Sequence, residues 1–172
     1  MLFVKDFYEE KGVVAKKNNK KTVAMIIFGI VAVLGIIAAV LIRSLVPLVI
    51  SLATACAFIA MFRERYVEYD YCFANDEIEI SKIMNRKRRR TAISFNTSNI
   101  RFIAPENSIR ISNHLAQYPD IRVTDYTSQE PSDSVYGFVL DLRGISTIIY
   151  LEPTESMMKH LRDIIPDKVL SE

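Results

Sequence analysis

The residues best suited to bind a charged partner form one basic run. Arg86–Arg90 are five consecutive cations, and Lys82 precedes them. Guanidinium and ammonium groups attract phosphate, and each cation near an anionic membrane contributes about 1 kcal/mol. No RNA- or DNA-binding motif accompanies the run, so the pattern favours anionic phospholipid over nucleic acid.

Two interpretations of this basic run stay open. In the first, Arg86–Arg90 and Lys82 dock the C-terminal part of the chain on the inner leaflet of the membrane. In the second, the run only enforces membrane topology, or it is a solvated hairpin tip that pairs with Glu77 and Glu79.

Residues with catalytic potential are few and scattered. His114 and His160 are the only histidines, and neither has a Cys or His neighbour at metal-ligand spacing. The chain has five glycines, with no phosphate-binding Gly-rich loop and no G-x-S-x-G nucleophile motif. Glu152 and Glu155 are better explained by the dipole of a following helix. The sequence therefore predicts no enzyme, no metal site and no cofactor.

The elements that must position the basic run begin with two apolar segments. Residues 22–42 and 44–62 contain no charge, and only Arg43 separates them. At about 1.5 Å per residue each segment spans roughly 28–31 Å, which matches the hydrocarbon core of a bilayer. A buried soluble helix would show a polar stripe, and a signal peptide would be shorter. Residues 22–62 are therefore predicted to form a transmembrane hairpin of two antiparallel helices.

Small residues recur at four-residue spacing along both segments. They are Gly35 and Ala39 in the first segment, then Ser51 with Ala55 and Ala53 with Ala57 in the second. Small side chains let helix backbones approach closely in lipid. They serve either the packing of the hairpin or the formation of a homo-oligomer.

The distribution of Lys and Arg sets the orientation. The leader, residues 1–21, carries six lysines, and Arg63 and Arg65 follow the second segment, whereas the intervening turn has Arg43 alone. The positive-inside rule therefore places both termini in the cytoplasm and the protein in the plasma membrane. The leader itself is expected to be an interfacial amphipathic helix or a frayed terminus.

The two cysteines agree with this location. Cys56 lies in the second apolar segment and Cys72 in the C-terminal part, so the two are not expected to pair. Free thiols are typical of a reducing cytoplasm.

Beyond the membrane segments, residues 63–172 change to the alternation that is typical of half-buried strands. Seven strands are predicted, at Val67–Phe73, Ile78–Ile80, Ala92–Phe95, Ile100–Ala104, Ile121–Tyr126, Val135–Arg143 and Ser146–Glu152. Residues 106–118 are a short helix or a loop. A terminal helix opens at Pro153-Thr154 and ends at Pro166. This order predicts a mainly β, pleckstrin-homology-like (PH-like) barrel or sheet with a C-terminal α-helix.

Four stretches of this sequence resemble an uncharacterised bacterial family. They are Val67–Tyr71, Asn75–Ile80, Lys87–Arg90 and Leu151–Glu155. The resemblance implies a short basic N-terminus, a two-helix membrane hairpin and a small cytoplasmic domain. It transfers an architecture and no catalytic residue. The loop Asn75-Asp76 is acidic, whereas phosphoinositide-binding PH domains carry basic residues there, so no specificity for one head group is expected.

Two functions fit these predictions. The first is a non-catalytic, membrane-anchored adaptor or scaffold that presents the PH-like domain to an unidentified protein partner, with anionic lipid as a second contact. The second is an accessory or regulatory subunit of a larger membrane complex, assembled through the hairpin.

Overall fold

The computed structural model describes residues 6–16, 19–63 and 66–170. Some residues that the sequence analysis used lie outside this description, and so do the predictions made for them. They are the leader lysines at 5 and 17, Arg65 and the C-terminal residues 171–172. The side chains of residues 19–21 and 63 are likewise outside the description.

Within the described residues the chain forms four α-helices and eight strands. The helices are α1 (Asn19–Ile42), α2 (Leu45–Arg63), α3 (Ile109–Gln117) and α4 (Glu155–Ile164). The strands are β1 (Tyr8–Val14), β2 (Val67–Ala74), β3 (Glu77–Met84), β4 (Arg88–Asn96), β5 (Ile100–Pro105), β6 (Arg122–Asp125), β7 (Tyr136–Leu142) and β8 (Ile145–Leu151).

These elements form two compact units, each described by itself. Among the described residues, the helical unit comprises 16, 19–63, 66–67 and 84–88, and the β unit comprises 6–15, 68–83 and 89–170. Neither unit is therefore one continuous stretch of the chain. Residues before and after the two apolar segments both belong to the β unit.

The helical unit consists of α1 and α2, joined by a turn at Arg43 and Ser44. Arg43 has a positive φ of 52°, which reverses the chain within two residues. The segments Thr22–Ile42 and Leu45–Phe62 are long and apolar enough to cross a membrane by length and composition. Most of their large apolar side chains point away from the partner helix and are exposed.

The first sheet of the β unit has the order β1-β2-β3-β4. Its first strand corrects the prediction for the leader, since residues 8–14 are neither an interfacial helix nor frayed. They pair antiparallel with β2, from Tyr8 opposite Ala74 to Val14 opposite Glu68. Only Val13 of β1 is buried, which is why no apolar alternation marked this strand in the sequence.

Side-chain contacts hold β1 to the end of β8 and the start of α4. Lys11 Nζ donates a hydrogen bond to the Glu152 carbonyl at 2.7 Å. The Thr154 hydroxyl donates to the Glu9 carboxylate at 2.6 Å. The leader is therefore an integral strand of the β unit.

The second sheet has the order β5-β7-β8-β6. β7 pairs antiparallel with β5 and β8, whereas β6 pairs parallel with β8. The stretch 106–118, left open by the sequence, contains α3, which begins at the N-cap Ser108. The predicted mainly β architecture with a C-terminal helix is present, with eight strands among the described residues rather than seven.

The core of the β unit lies on both faces of the second sheet. On one face Phe138, Leu140 and Ile149 pack with apolar side chains of the first sheet and of α4, including Tyr71 and Met157. On the other face a smaller cluster of Ala104, Val139 and Ile148 lies under Ile111 of α3. Burial on both faces explains the continuous apolar character of β7 and β8.

Candidate functional site

The basic run begins in the tight turn that joins β3 to β4. Asn85 and Arg86 have positive φ values of 50° and 56°, and the Lys87 amide donates to the Met84 carbonyl at 3.1 Å. The turn contains Arg86 and Lys87, whereas Arg88–Arg90 already belong to β4. The five cations are therefore divided between a turn and a strand, and they do not act as one solvated loop.

Within the helical unit this turn is attached to the segment that leaves α2. The Asn85 amide donates to the Tyr66 carbonyl at 2.9 Å. The guanidinium carbon of Arg86 lies 4.8 Å from the centre of the Tyr66 ring, a cation–π contact. α2 ends at Arg63, three residues before Tyr66. Three extended residues span at most roughly 10 Å, so the turn lies close to the end of the second apolar helix.

Arg89 points into an acidic face of the first sheet. Its guanidinium is 3.0 Å from the carboxylate of Asp70 on β2, whose side chain is only 13% exposed. Burial raises the pKa of Asp70, Arg89 lowers it, and the nearby Glu10 and Glu79 raise it again. Arg89 therefore partly offsets the effect of burial on this carboxyl group.

Pairing of the run with Glu77 and Glu79, which was one part of the second interpretation, does not occur between the described side chains. Glu77 accepts from the Ser94 hydroxyl at 3.0 Å, and Glu79 accepts from Ser81 and Thr91 at 3.1 and 2.9 Å. Neighbouring strands of one sheet bring these hydroxyls beside the carboxylates, so the glutamates have partners of their own.

Three cations of the run remain available. Lys87, Arg88 and Arg90 are exposed, and their side chains make neither an ion pair nor a hydrogen bond within the part of the chain that is described. Because side chains alternate along a strand, Arg88 and Arg90 lie on the opposite side of β4 from Arg89. Lys82 is half-buried on β3. Ammonium and guanidinium groups of this kind bind anions.

The small residues of the hairpin fall into two groups. A Cβ on Gly35 would lie 2.9 Å from the Ser51 Cβ, and the Ser51 hydroxyl donates to the Ala32 carbonyl at 2.6 Å. Both residues therefore lie in the contact between α1 and α2. Ala39, Ala55 and Ala57 are half-buried, whereas Ala53 is exposed on the outer face of α2.

The histidines have structural partners. The His114 ring contacts the rings of Phe102 and Tyr118, and its Nε2 is 3.5 Å from the Ser146 hydroxyl. Burial first, and then Arg101, lowers the pKa of His114. The His160 ring stacks on Phe7 at 3.9 Å, and its Nε2 lies 2.8 Å from the Asn75 carbonyl oxygen.

The carboxylates near α4 differ from each other. Glu155 lies in the first turn of α4, where a helix dipole favours a negative charge. Glu152 is buried and accepts hydrogen bonds from the Ser128 amide and hydroxyl at 2.9 and 2.7 Å, so the dipole does not explain it. Cys56 and Cys72 are both free. Among the described residues, no group of three His, Cys, Asp or Glu side chains could hold a metal ion.

Sequence reasoning missed two residues of this site. Tyr66 follows the second apolar segment, at a position where aromatic residues are common at membrane interfaces. That position was an available signal. Asp70 offered none, because its pairing with Arg89 depends on how β2, β3 and β4 align.

Comparison with known proteins agrees with the fold. No curated protein and no solved structure matches the chain significantly. The model of a family described as "Bacterial PH-like domain (DUF6106)", a family of unknown function, matches residues 5–171. With eight strands in two sheets and a C-terminal helix, and a match that covers nearly all of its length, the chain belongs to this bacterial PH-like domain family.

Proposed function

We propose that the protein is a non-catalytic, membrane-anchored adaptor that presents its PH-like domain at the cytoplasmic face of the plasma membrane. The hairpin supports membrane anchoring, because its apolar side chains face outward rather than into a protein core. The segments Thr22–Ile42 and Leu45–Phe62 have mean hydropathies of 3.1 and 2.4 and are almost entirely unburied, whereas a core helix of a soluble protein is mostly buried.

The pairing of β1 with β2 supports the proposal that the segment before α1 and the segment after α2 lie on the same side of the membrane. β1 ends at Val14, before α1, and β2 begins at Val67, after α2. Their seven paired positions form one antiparallel ladder, which a bilayer cannot divide. An even number of spans satisfies this requirement, and the lysines of the leader favour the cytoplasmic side.

The contact between Arg86 and Tyr66 carries the proposal that Arg86–Arg90 and Lys82 dock on anionic phospholipid. It fixes the β3–β4 turn close to the end of α2, where a membrane-spanning helix meets the head groups. Lys87 and Arg88 beside it have no partner in the described residues, and each cation near an anionic surface contributes about 1 kcal/mol. Arg89 contributes less to docking, since Asp70 already neutralises it.

The alternative is an accessory or regulatory subunit that binds a larger complex through the hairpin. Gly35 and Ser51, the small residues that suggested it, pack against each other between α1 and α2. Ala53 remains on the outer face for such a contact. The adaptor role has more support, because the small-residue contact is used within the hairpin.

Docking is tested with the full chain in lipid nanodiscs. A photo-crosslinking residue at the exposed Ala92 of β4 should label lipid in discs that contain anionic phospholipid and label little in neutral discs. Labelling should fall as salt rises, since charges are screened within about 8 Å at roughly 0.15 M.

A pair of matched variants sharpens this test. Lys87→Gln with Arg88→Gln should abolish the dependence on anionic lipid, whereas Arg110→Gln with Arg122→Gln removes the same charge elsewhere and should leave it. Docking through the basic run is contradicted if neutral and anionic discs give equal labelling. It is also contradicted if the Lys87→Gln/Arg88→Gln variant is labelled as the parent is.

Topology is tested in intact cells. With Cys56 and Cys72 replaced, single cysteines at the N-terminus and near Glu172 should be protected from an impermeant thiol reagent. Reaction at either terminus before lysis contradicts the cytoplasmic assignment.

A further inference from the structure

The two edges of the second sheet differ in how they are covered by other parts of the described chain. At the β5 edge, Ile103 forms a parallel bridge with Val169, and the Leu170 amide donates to the Ile103 carbonyl at 2.8 Å. The C-terminal segment thus covers that edge. At the opposite edge, β6 pairs with β8 alone, and no strand from the described residues covers its outer side. An open strand edge is a template for an added strand.

A cavity of about 380 Å³ adjoins the start of β6. The end of α3, the following turn and the β7–β8 turn form its walls, with Tyr118, Asp120, Ile145 and Ser146 among the lining residues. The Ile121 amide donates to the Tyr118 carbonyl at 3.1 Å, which fixes the turn that leads into β6. The cavity is largely open to solvent, and its volume lies at the low end of the roughly 300–1,000 Å³ of small-molecule sites, which leaves room for one large side chain beside the strand edge.

The chemistry of the cavity favours a cation on an aliphatic stem. Asp120 makes neither an ion pair nor a hydrogen bond within the residues that the structure covers. The C-terminal end of α3 adds negative partial charge, and the Tyr118 ring offers a cation–π face. Ile145, which is 63% exposed, supplies an apolar wall for a methylene stem.

We propose that an extended segment of a partner protein adds to β6 as a fifth strand and inserts a lysine or arginine side chain into this cavity. Main-chain hydrogen bonds along a strand edge supply affinity in such complexes, and pockets for alternate side chains supply specificity. This inference deepens the proposed adaptor role by naming the chemistry of its protein partner. It involves neither the hairpin nor the basic run, so it and lipid docking can fail separately.

The test uses the full chain in nanodiscs and a library of random linear dodecapeptides. Peptides are selected on the parent chain and counter-selected on an Asp120→Asn/Ile145→Ser variant. We expect enriched peptides to share one Lys or Arg flanked by alternating apolar residues. A synthetic peptide of the enriched sequence should slow amide hydrogen exchange within Arg122–Asp125.

Single variants with matched controls decide the outcome. Ile145→Ser should weaken binding of this peptide about tenfold, the effect of a modest hot spot. Ile109→Ser changes another exposed isoleucine, which lies outside the cavity, and should leave binding unchanged. Asp120→Asn should weaken it about threefold or more at low salt, and Asp133→Asn should not. The proposal is overturned if no enriched peptide binds the parent chain better than the double variant. It is also overturned if the peptide binds all four single variants equally well.

Discussion

The helical hairpin and the β unit use the same apolar residue types in opposite ways. In α1 and α2 most large side chains face outward, and the inter-helix contact relies on small groups such as Gly35 and Ser51. In the β unit many large side chains, Phe138 and Tyr71 among them, are fully buried, and only a few large apolar side chains such as Ile109 and Ile145 are exposed. The outward-facing side chains of the hairpin agree with the proposed membrane anchor, for which lipid would be the solvent, whereas the β unit forms its own core. Four predictions test this separation.

The largest effect should follow from loss of β1. A chain that begins at residue 66 lacks the strand that covers β2, together with the buried Val13 and the contacts of Lys11 and Glu9. We expect it to lose cooperative thermal unfolding by circular dichroism. A hairpin-replaced chain, with Asn-Gly joining Val14 to Glu68, should be soluble, mainly β and cooperative, because a two-residue turn suits that pair. The assignment of β1 would be contradicted if the truncated chain and the hairpin-replaced chain unfolded with equal cooperativity. A mainly helical spectrum of the hairpin-replaced chain would contradict it as well.

Truncation of one ring should affect the two units unequally. Phe138 is fully buried in the β core, so Phe138→Ala should lower the free energy of unfolding by about 3–5 kcal/mol. Phe62, which is 50% exposed at the end of α2, faces the surroundings of the hairpin, and Phe62→Ala should lower it by less than about 1 kcal/mol. Denaturant unfolding of the full chain in micelles measures both. Comparable losses would show that the two units share one core.

A smaller effect is expected within the hairpin. A side chain at Gly35 would meet the Ser51 Cβ at 2.9 Å and the Pro47 carbonyl at 3.2 Å, so Gly35→Val must separate the helices. Overpacking of this kind costs about 1–3 kcal/mol. Ala53→Val on the outer face should be nearly neutral. For both variants, stability is measured as the loss of helical signal on titration with a denaturing detergent. A Gly35→Val protein as stable as the parent would contradict close packing of the helices at Gly35.

The smallest effect concerns Asp70. Its pKa is raised, so the folded chain holds this proton more tightly than the unfolded chain, and the associated stability falls as pH rises from the ordinary value through the raised one. Because Arg89 lowers this pKa, Arg89→Gln should raise it further and move the loss of stability to higher pH. Arg88→Gln, on the other side of β4, is the control. Carbon-13 titration of the Asp70 carboxyl by NMR measures the change, and an equal shift in both variants would contradict the pairing.

The sequence by itself determined the elements that depend on local pattern. Two uncharged apolar runs separated by Arg43 specify two helices without knowledge of anything distant. Alternation specified β2 and β3, and Thr154 with Pro166 marked the ends of α4, whose N-cap Thr154 accepts from the Met157 amide at 3.0 Å. In each case neighbouring residues supply the physical cause.

Only the tertiary structure decided what depends on distant partners. β1 has one buried residue, and its strand conformation comes from pairing with β2, more than fifty residues away along the chain. The parallel pairing of β6 with β8 joins two strands that are not consecutive in the chain, and it leaves β6 at an open edge of the described sheet. The division of Arg86–Arg90 has the same origin. Strand alternation turns Arg89 towards Asp70, and the turn geometry brings Arg86 to Tyr66, so five like charges in sequence have different roles in space.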